Sequence, residues 1–159
     1  MAVTLLVVAP AVASAQKLVI VVRHAERADG GSMSPNPQSD PALSAAGETR
    51  ARKLAAMLGE SGIAAIYTTE FKRTKDTAAP LAAKLNISPI VIKADDTKAM
   101  VESIKTTRAT SIVLIVAHSN TIPDVIKAFG GPDVTVADGD YDNIFFVVPA
   151  TGAMTKIKY

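Results

Sequence analysis

The sequence predicts an α/β fold, a three-layer α/β/α sandwich in which helices cover both faces of a mostly parallel sheet. Runs of aliphatic residues alternate with helical patterns along the chain, which is typical of this class. The 159 residues fit one domain, and a chain of this length buries a core without disulfide bonds, of which it has none because it lacks cysteine. The only two histidines, His24 and His118, stand at the carboxyl ends of two aliphatic runs. Ligands bind at that edge of a parallel sheet, so we expect both imidazoles to face one pocket.

The first predicted strand is Leu18–Val22, a run of five aliphatic residues that leads to His24. Residues 28–42 follow, and they are rich in Gly, Ser, Pro, Asn and Asp, so neither a helix nor a strand can continue through them. A loop of this length is uncommon in a compact domain unless it has a function. It is therefore either a segment that covers the substrate or a surface excursion.

The next elements alternate between helix and strand. Ser44 is a good N-cap for a helix whose buried face repeats at helical spacing and which ends near residues 59–62; that face is Ala51, Leu54, Ala55 and Leu58. The strand Ile63–Tyr67 comes next. A second helical stripe then extends to Leu85, and Pro80 within it predicts either a kink or a late helix start.

The second half of the chain continues the alternation. Residues 87–93 form a predicted strand that Pro89 interrupts, which indicates a position near a sheet edge, and a weaker helix spans about Thr97–Thr107. The strand Ile112–Ala117 leads through His118 into a helix that ends before Gly130-Gly131-Pro132. A Pro-Ala-Thr-Gly turn separates the last two predicted strands, Asn143–Val148 and Met154–Tyr159.

Residues 1–15 are predicted to be a signal peptide that leaves a mature domain of residues 16–159. Residues 2–15 carry no charge and end in Ala13-Ser14-Ala15, a pattern cut by signal peptidase, although no Lys or Arg follows Met1. The stretch is shorter than the roughly 20 residues of a membrane-spanning helix. The alternative is a buried N-terminal strand or an uncleaved anchor. We therefore expect a periplasmic or secreted protein with no membrane span after cleavage, or a cytoplasmic one if the segment is not a signal.

The composition argues against a nucleic-acid partner. The net charge is only +2, aromatic residues make up 4% of the chain and tryptophan is absent, so neither a basic footprint nor a stacking platform is present. We expect a small partner instead.

Arginine and histidine side chains meet at three predicted strand ends, as Arg23-His24, Arg73 and His118. A guanidinium group binds two phosphate oxygens at once, and two such groups can stabilise the charge of a phosphoryl group. A neutral histidine among them is a competent nucleophile toward phosphorus. These two arginines and two histidines predict a phosphate pocket that requires no metal and no other cofactor. A metal site on the two histidines is disfavoured, because Arg23 would repel a cation.

Three further residues, Ser119, Asn120 and Arg27, are candidates for substrate binding, and Thr121 offers an additional backbone N–H group. The predicted helix after His118 begins near Ser119, Asn120 and Thr121, whose backbone N–H groups can point at an anion. Arg27 follows His24 closely and is either a substrate-binding side chain or a solvated loop arginine.

At these residues the chain resembles the histidine phosphatase superfamily, the phosphoglycerate mutase-like proteins. Four motifs carry the resemblance, in order and over most of the mature chain: Val21-Val22-Arg23-His24-Ala25-Glu26, Leu43-Ser44-x-x-Gly47, Thr68-Thr69-x-x-x-Arg73-Thr74-x-x-Thr77-Ala78 and Val116-Ala117-His118-Ser119-Asn120-Thr121. The resemblance implies a phosphoglycerate mutase-like fold. It also implies that His24 is the phosphorylated nucleophile and that Arg23, Arg73 and His118 complete the phosphate pocket.

The implied reaction is hydrolysis of a phosphomonoester in two steps, attack by His24 and then attack by water on the phosphohistidine. The chain departs from the family at the proton donor, because Ser119 stands where the acid-phosphatase branch has Asp and the Glu-bearing insertion of the mutases is absent. The donor stays unassigned among four candidates, which are Glu26, Asp95, Asp96 and Asp142.

Two other functions stay open on the same fold. One is a non-catalytic module that binds phosphate or phosphoprotein, which an aryl phosphate assay would distinguish from an enzyme. The other is a phosphoglycerate-type mutase, which needs a capped site for which the chain offers little material between Arg73 and His118. The expected partner is a small phosphorylated substrate or a phosphoprotein, and neither its identity nor the oligomeric state follows from the sequence.

Overall fold

The computed structural model describes residues 17–30 and 40–159, so the predicted signal peptide and most of the predicted loop 28–42 lie outside the described residues. Strands and helices alternate up to β5. In chain order the elements are β1 (Leu18–Arg23), α1 (Ala45–Leu58), β2 (Ile63–Thr69), α2 (Lys72–Leu85), β3 (Ile90–Ile92), α3 (Thr97–Thr107), β4 (Ile112–Ala117), α4 (Ile122–Ala128), β5 (Asn143–Val148) and β6 (Ala153–Lys158).

The six strands form one mixed sheet in the order β3-β2-β4-β1-β5-β6. The four strands β1 to β4 pair in parallel, while β5 pairs antiparallel with both β1 and β6. The prediction of a mostly parallel sheet is confirmed.

Helices cover both faces of this sheet. One face packs against α1 and α2 through residues such as Leu54 and Leu81, and the other packs against α3 and α4 through residues such as Ile104 and Phe129. The connections from β1 to β2 and from β2 to β3 run in one direction along the sheet, and the connection from β3 to β4 runs back. Because crossovers in such sheets share one hand, this reversal puts α3 on the opposite face. The predicted three-layer sandwich is confirmed.

Two predicted elements differ in detail. Helix α2 begins at Lys72 and continues through Pro80, so the predicted late start is wrong. A proline inside a helix removes one backbone hydrogen bond, and the buried residues Thr77, Ala78 and Leu81 on both sides of Pro80 compensate by packing against the core. Strand β3 is shorter than predicted because it begins only after Pro89, and it lies at the sheet edge as expected.

The start of α1 is held close to the segment that follows β1. Ser44 caps the helix as predicted, since its Oγ accepts a hydrogen bond of 3.1 Å from the backbone N–H of Gly47. A methyl group at Gly47 would overlap the carbonyl oxygen of Glu26. Glycine at this position therefore lets the helix backbone pack directly on the backbone two residues after His24.

The chain reverses its winding direction between β1 and β4, which are neighbours in the sheet. The connection after β1 leads toward β2, and the connection after β4 leads the opposite way toward β5. A crevice opens at the carboxyl ends of two such strands, and it is the usual ligand site of an open α/β sheet. Within residues 17–30 and 40–159, no helix has the length and apolar character needed to cross a membrane.

Candidate active site

The two histidines lie side by side in the crevice between β1 and β4. Arg23, at the end of β1, is in register with Ala117 at the end of β4, so His24 and His118 leave the sheet at the same level. Their ring centroids are 5.3 Å apart, and only 3% of His24 and 6% of His118 is exposed to solvent. The expectation that both imidazoles face one pocket is met.

The ring of His24 is held in one tautomer. Its Nδ1 lies 2.8 Å from the carbonyl oxygen of Ala25, which can only accept, so Nδ1 carries the proton and donates it. The other ring nitrogen, Nε2, then has a free lone pair. An unprotonated Nε2 on a fixed ring is the form of histidine that can attack phosphorus.

The ring of His118 is held in the opposite tautomer. Its Nδ1 lies 3.4 Å from Nη2 of Arg73, which can only donate, so Nδ1 is the acceptor and Nε2 carries the proton. Nε2 therefore donates to the hydroxyl oxygen of Thr69 at 3.0 Å, and Thr69 in turn contacts Thr74 at 2.9 Å. Of these two hydrogen-bond partners of the His118 ring, Thr69 lies at the end of β2 and Arg73 in the first turn of α2.

A second threonine connects the two halves of the site. The hydroxyl oxygen of Thr77 accepts a hydrogen bond of 2.9 Å from the backbone N–H of Ala25 and donates one of 2.7 Å to the carbonyl oxygen of Arg73. Thr77 is fully buried. It fixes the turn after His24 against the helix that carries Arg73.

Each of the two predicted phosphate-binding arginines stacks on an aromatic ring. The guanidinium carbon of Arg23 lies 4.2 Å from the ring centroid of Tyr141, and that of Arg73 lies 4.1 Å from the ring centroid of Phe71. Arg23 also donates hydrogen bonds to the carbonyl oxygens of Ala137 (3.0 Å) and Asp138 (2.5 Å). The Nε atoms of Arg23 and Arg73 are buried and have no hydrogen-bond partner among the described residues.

A third arginine, Arg27, also reaches the crevice. Its guanidinium group forms an ion pair with Asp29, and Arg73 lies 3.6 Å from a carboxylate oxygen of Asp40. Asp40 also accepts from the backbone N–H of Lys72, at the start of α2. These carboxylates partly balance the positive charge and hold the arginine side chains at the rim.

The structure brings together all seven residues that the sequence identified as a site. They line one pocket of about 410 Å³, a volume typical of small-molecule sites: Arg23, His24, Arg27, Arg73, His118, Ser119 and Asn120. One expected donor is engaged elsewhere, because the N–H of Thr121 bonds to the carbonyl oxygen of His118 at 3.1 Å. The catalytic and binding roles of the seven residues remain predictions.

Three of the four candidate proton donors lie outside this pocket. Glu26 forms an ion pair with Arg50 at 2.7 Å, and although burial opposes the shift, the hydrogen bonds from Arg50 hold the pKa of Glu26 below its usual value. Asp96 caps α3, and Asp142 pairs with Lys158 at 3.0 Å. Only Asp95 of the four lines the pocket.

Sequence reasoning missed three parts of the site. Phe71 and Tyr141, which support the arginines, stand on connecting segments without a periodic pattern, so no signal in the sequence identified them. Asp138 also lines the pocket, and it stands on the connecting segment between α4 and β5. Thr69 and Thr77 belong to a recognised motif, yet their hydrogen bonds depend on the packing of β2 and α2 against the histidines.

Burial is the main reason why both histidines are neutral. It lowers the pKa of His24 from 6.5 to about 4, with Arg73, Arg23 and Arg27 adding to the effect and the bond to Ala25 opposing it. It lowers the pKa of His118 to about 3, again with the help of Arg73. At neutral pH the pocket therefore contains three cationic guanidinium groups and two uncharged imidazoles.

These pKa values predict that neither imidazole titrates between pH 8 and pH 5.5 in the folded protein. The test is an NMR titration of the imidazole resonances, for which the urea-unfolded chain is the control, since there both histidines should titrate near pH 6.5. A folded-state histidine that titrates near 6.5 would contradict the burial argument. Because the unfolded chain binds these protons first, the free energy of unfolding should fall as the pH drops from 6.5 toward 4.

The sequence of residues 19–96 matches the family model described as the histidine phosphatase superfamily, branch 1. That match includes β1 with Arg23 and His24 and the start of α2 with Arg73. Over these residues the sequence is that of the histidine phosphatase superfamily. No curated protein matches the sequence significantly.

Several solved structures share the fold of this chain. A mycobacterial glucosyl-3-phosphoglycerate phosphatase has a TM-score of 0.65 at 14% identity, and the alignment covers 90% of this chain and 98% of that one. A protein histidine phosphatase, SixA, has a TM-score of 0.63 at 18% identity, with coverage of 88% and 94%. An Escherichia coli protein described as a candidate α-ribazole-5′-phosphate phosphatase has a TM-score of 0.66 at 11% identity, with coverage of 89% and 95%. The likeness extends over nearly the whole of each chain.

Proposed function

We propose that this protein is a metal-independent phosphomonoester hydrolase that acts through a phosphohistidine intermediate on His24. The observation that carries the proposal is the fixed tautomer of His24, whose Nδ1 donates to Ala25 and leaves Nε2 unprotonated in a pocket with three arginines. The match of residues 19–96 to the histidine phosphatase superfamily supports a phosphatase activity.

In the first step, Nε2 of His24 attacks the phosphorus atom, an N–P bond forms and the bond to the leaving oxygen breaks. Arg23, Arg73 and Arg27 hold the phosphoryl oxygens, and their positive charge reduces the repulsion between the lone pair and the dianion. In the second step, water attacks phosphorus, the N–P bond breaks and inorganic phosphate leaves. The ring of Tyr141 and the carbonyl oxygen of Ala137 hold the guanidinium group of Arg23 in place through the two steps. The ring of Phe71 does the same for Arg73.

The pocket geometry favours turnover over simple phosphate binding. A binding module needs the arginines, but it does not need a buried neutral imidazole whose tautomer is fixed by a hydrogen bond. Two proteins of similar fold are named for different phosphorylated substrates, a glucosyl-3-phosphoglycerate in one case and a protein histidine in the other. We therefore propose a small phosphorylated molecule or a phosphoprotein as the substrate class.

The test is to trap the intermediate. The wild-type protein is mixed with p-nitrophenyl phosphate, quenched in alkaline denaturant and analysed by intact mass and peptide mapping. We expect a mass increase of one phosphoryl group, labile to acid, on the peptide that contains His24. Phosphate release should be unchanged by EDTA. Turnover with the label on His118, or without any label, would contradict the proposal.

A further inference from the structure

We propose that Asp138 is the proton donor to the leaving group, and that its carboxylate then accepts the proton of the attacking water. This inference rests on the hydrolase activity proposed above. It assigns a residue that lies outside the four candidates considered from the sequence, because the structure brings it to the pocket from a distant loop.

The carboxylate of Asp138 lies beside Ser119, the residue that directly follows His118. Its Oδ1 is 3.5 Å from Oγ of Ser119. Asp138 and Ser119 both line the pocket that contains His24. The exposed Asp138 side chain therefore lies at the edge of the pocket in which we propose that the ester is cleaved.

The backbone of Asp138 is attached to the phosphate-binding machinery. Arg23 donates hydrogen bonds to the carbonyl oxygens of Ala137 and Asp138, and the same guanidinium group stacks on Tyr141, whose ring centroid is 6.0 Å from that of His24. Hydrogen bonds between Ala137 and Asp140 close the turn around Asp138. The position of this carboxylate is thus set relative to Arg23 and not by a free loop.

Three other carboxylates at or beside the pocket are less suited to donate this proton. Asp29 and Asp40 form ion pairs with the arginines at the rim. Asp95 lines the pocket, but the backbone beside it is held by a hydrogen bond of 2.8 Å from the N–H of Ala94 to the carboxylate of Glu70. Glu70 is not one of the predicted phosphate-binding residues. Asp95 is therefore the natural control, a carboxylate in the same pocket without a tie to Arg23.

Asp138 gives up one proton in the first step and recovers one in the second. As Nε2 of His24 forms its bond to phosphorus, the P–O bond to the leaving group breaks, and the leaving oxygen takes the proton of the Asp138 carboxyl group. In the second step the Asp138 carboxylate takes a proton from water while the water oxygen bonds to phosphorus. The N–P electron pair returns to His24, and Asp138 is again protonated.

The dependence of kcat/KM on the leaving group tests whether Asp138 donates the proton. A p-nitrophenolate leaves without protonation, whereas the alkoxide of β-glycerophosphate needs a proton, so the loss of an acid affects the second substrate far more. Asp138→Asn should lower kcat/KM for β-glycerophosphate by about 10² to 10⁴-fold relative to the loss for p-nitrophenyl phosphate. Asp95→Asn should not change the ratio between the two substrates. The thermal unfolding midpoint of each variant shows that the exposed substitution leaves the fold intact.

Three results would overturn the role of Asp138. They are an equal loss on both substrates, an Asp95→Asn variant with the same selective loss, and a wild-type enzyme that hydrolyses the aryl ester but not the alkyl ester. Failure of the proposed function is distinguishable, because the wild-type protein would then release no phosphate from the aryl ester and form no phosphohistidine. That result would refute both proposals together.

Discussion

Replacing His24 with alanine is expected to lower kcat/KM for p-nitrophenyl phosphate by on the order of 10³-fold or more, since removal of a nucleophile leaves only the contribution of the binding groups. The substitution removes the Nε2 lone pair but leaves Arg23, Arg73 and Arg27 in place. We therefore expect the variant to lose the phosphohistidine label and yet to bind inorganic phosphate, which isothermal titration calorimetry measures.

The fold should tolerate the loss of this ring. Within residues 17–30 and 40–159, His24 makes one side-chain hydrogen bond, to the carbonyl oxygen of Ala25, and a typical bond of this kind contributes about 1 kcal/mol. Circular dichroism and the unfolding midpoint serve as the control. If His24→Ala keeps a tenth or more of wild-type turnover, the nucleophile lies elsewhere and the proposed mechanism is wrong.

Replacing Arg73 with lysine is expected to lower kcat by about 10² to 10³-fold, the usual cost of removing one preorganised donor from a transition state. Lysine keeps the positive charge but cannot present two parallel N–H donors to a phosphoryl group. It also loses the planar stacking on Phe71 and the contact with Nδ1 of His118. Steady-state kinetics and the inhibition constant of inorganic phosphate measure the effect.

Arg52 offers a matched control for this substitution. Its side chain is 63% exposed and lies 3.8 Å from Glu48 on the surface of α1, away from the crevice. Arg52→Lys should leave both kcat and phosphate inhibition at the wild-type level. An Arg73→Lys variant that behaves like Arg52→Lys would show that a single point charge at position 73 is sufficient.

The elements and the two histidines were predictable because burial leaves a direct pattern in the sequence. The strands β1 and β4 are buried on both faces and therefore read as uninterrupted aliphatic runs, and each run ends at a histidine. Parallel strands bring their carboxyl ends to one edge, so the convergence of His24 and His118 followed from strand direction alone. The N-cap at Ser44 was predictable because capping depends on a local pattern.

The supporting residues were not predictable, because their contacts join distant segments. Nothing in the sequence around Tyr141 indicates that its ring stacks on Arg23, more than a hundred positions away. Glu26 appeared suited to acid catalysis because it is close to His24 in sequence, yet its carboxylate turns to Arg50 on α1. The late start that Pro80 offered as one alternative for α2 is wrong, since the packing of Leu81 and Thr77 outweighs the local preference of Pro80.

The proposed reacting groups stand at the ends of two adjacent strands, apart from the segments that would contact the rest of a substrate. Because His24 and His118 are positioned by the sheet register, and Arg73 by the first turn of a helix whose inner face is buried, variation in the outer connections need not disturb them. Evolution can remodel those connections for new phosphate esters while the hydrolytic apparatus stays constant. The same division would let an engineer exchange rim segments to redirect the enzyme without rebuilding its catalytic centre.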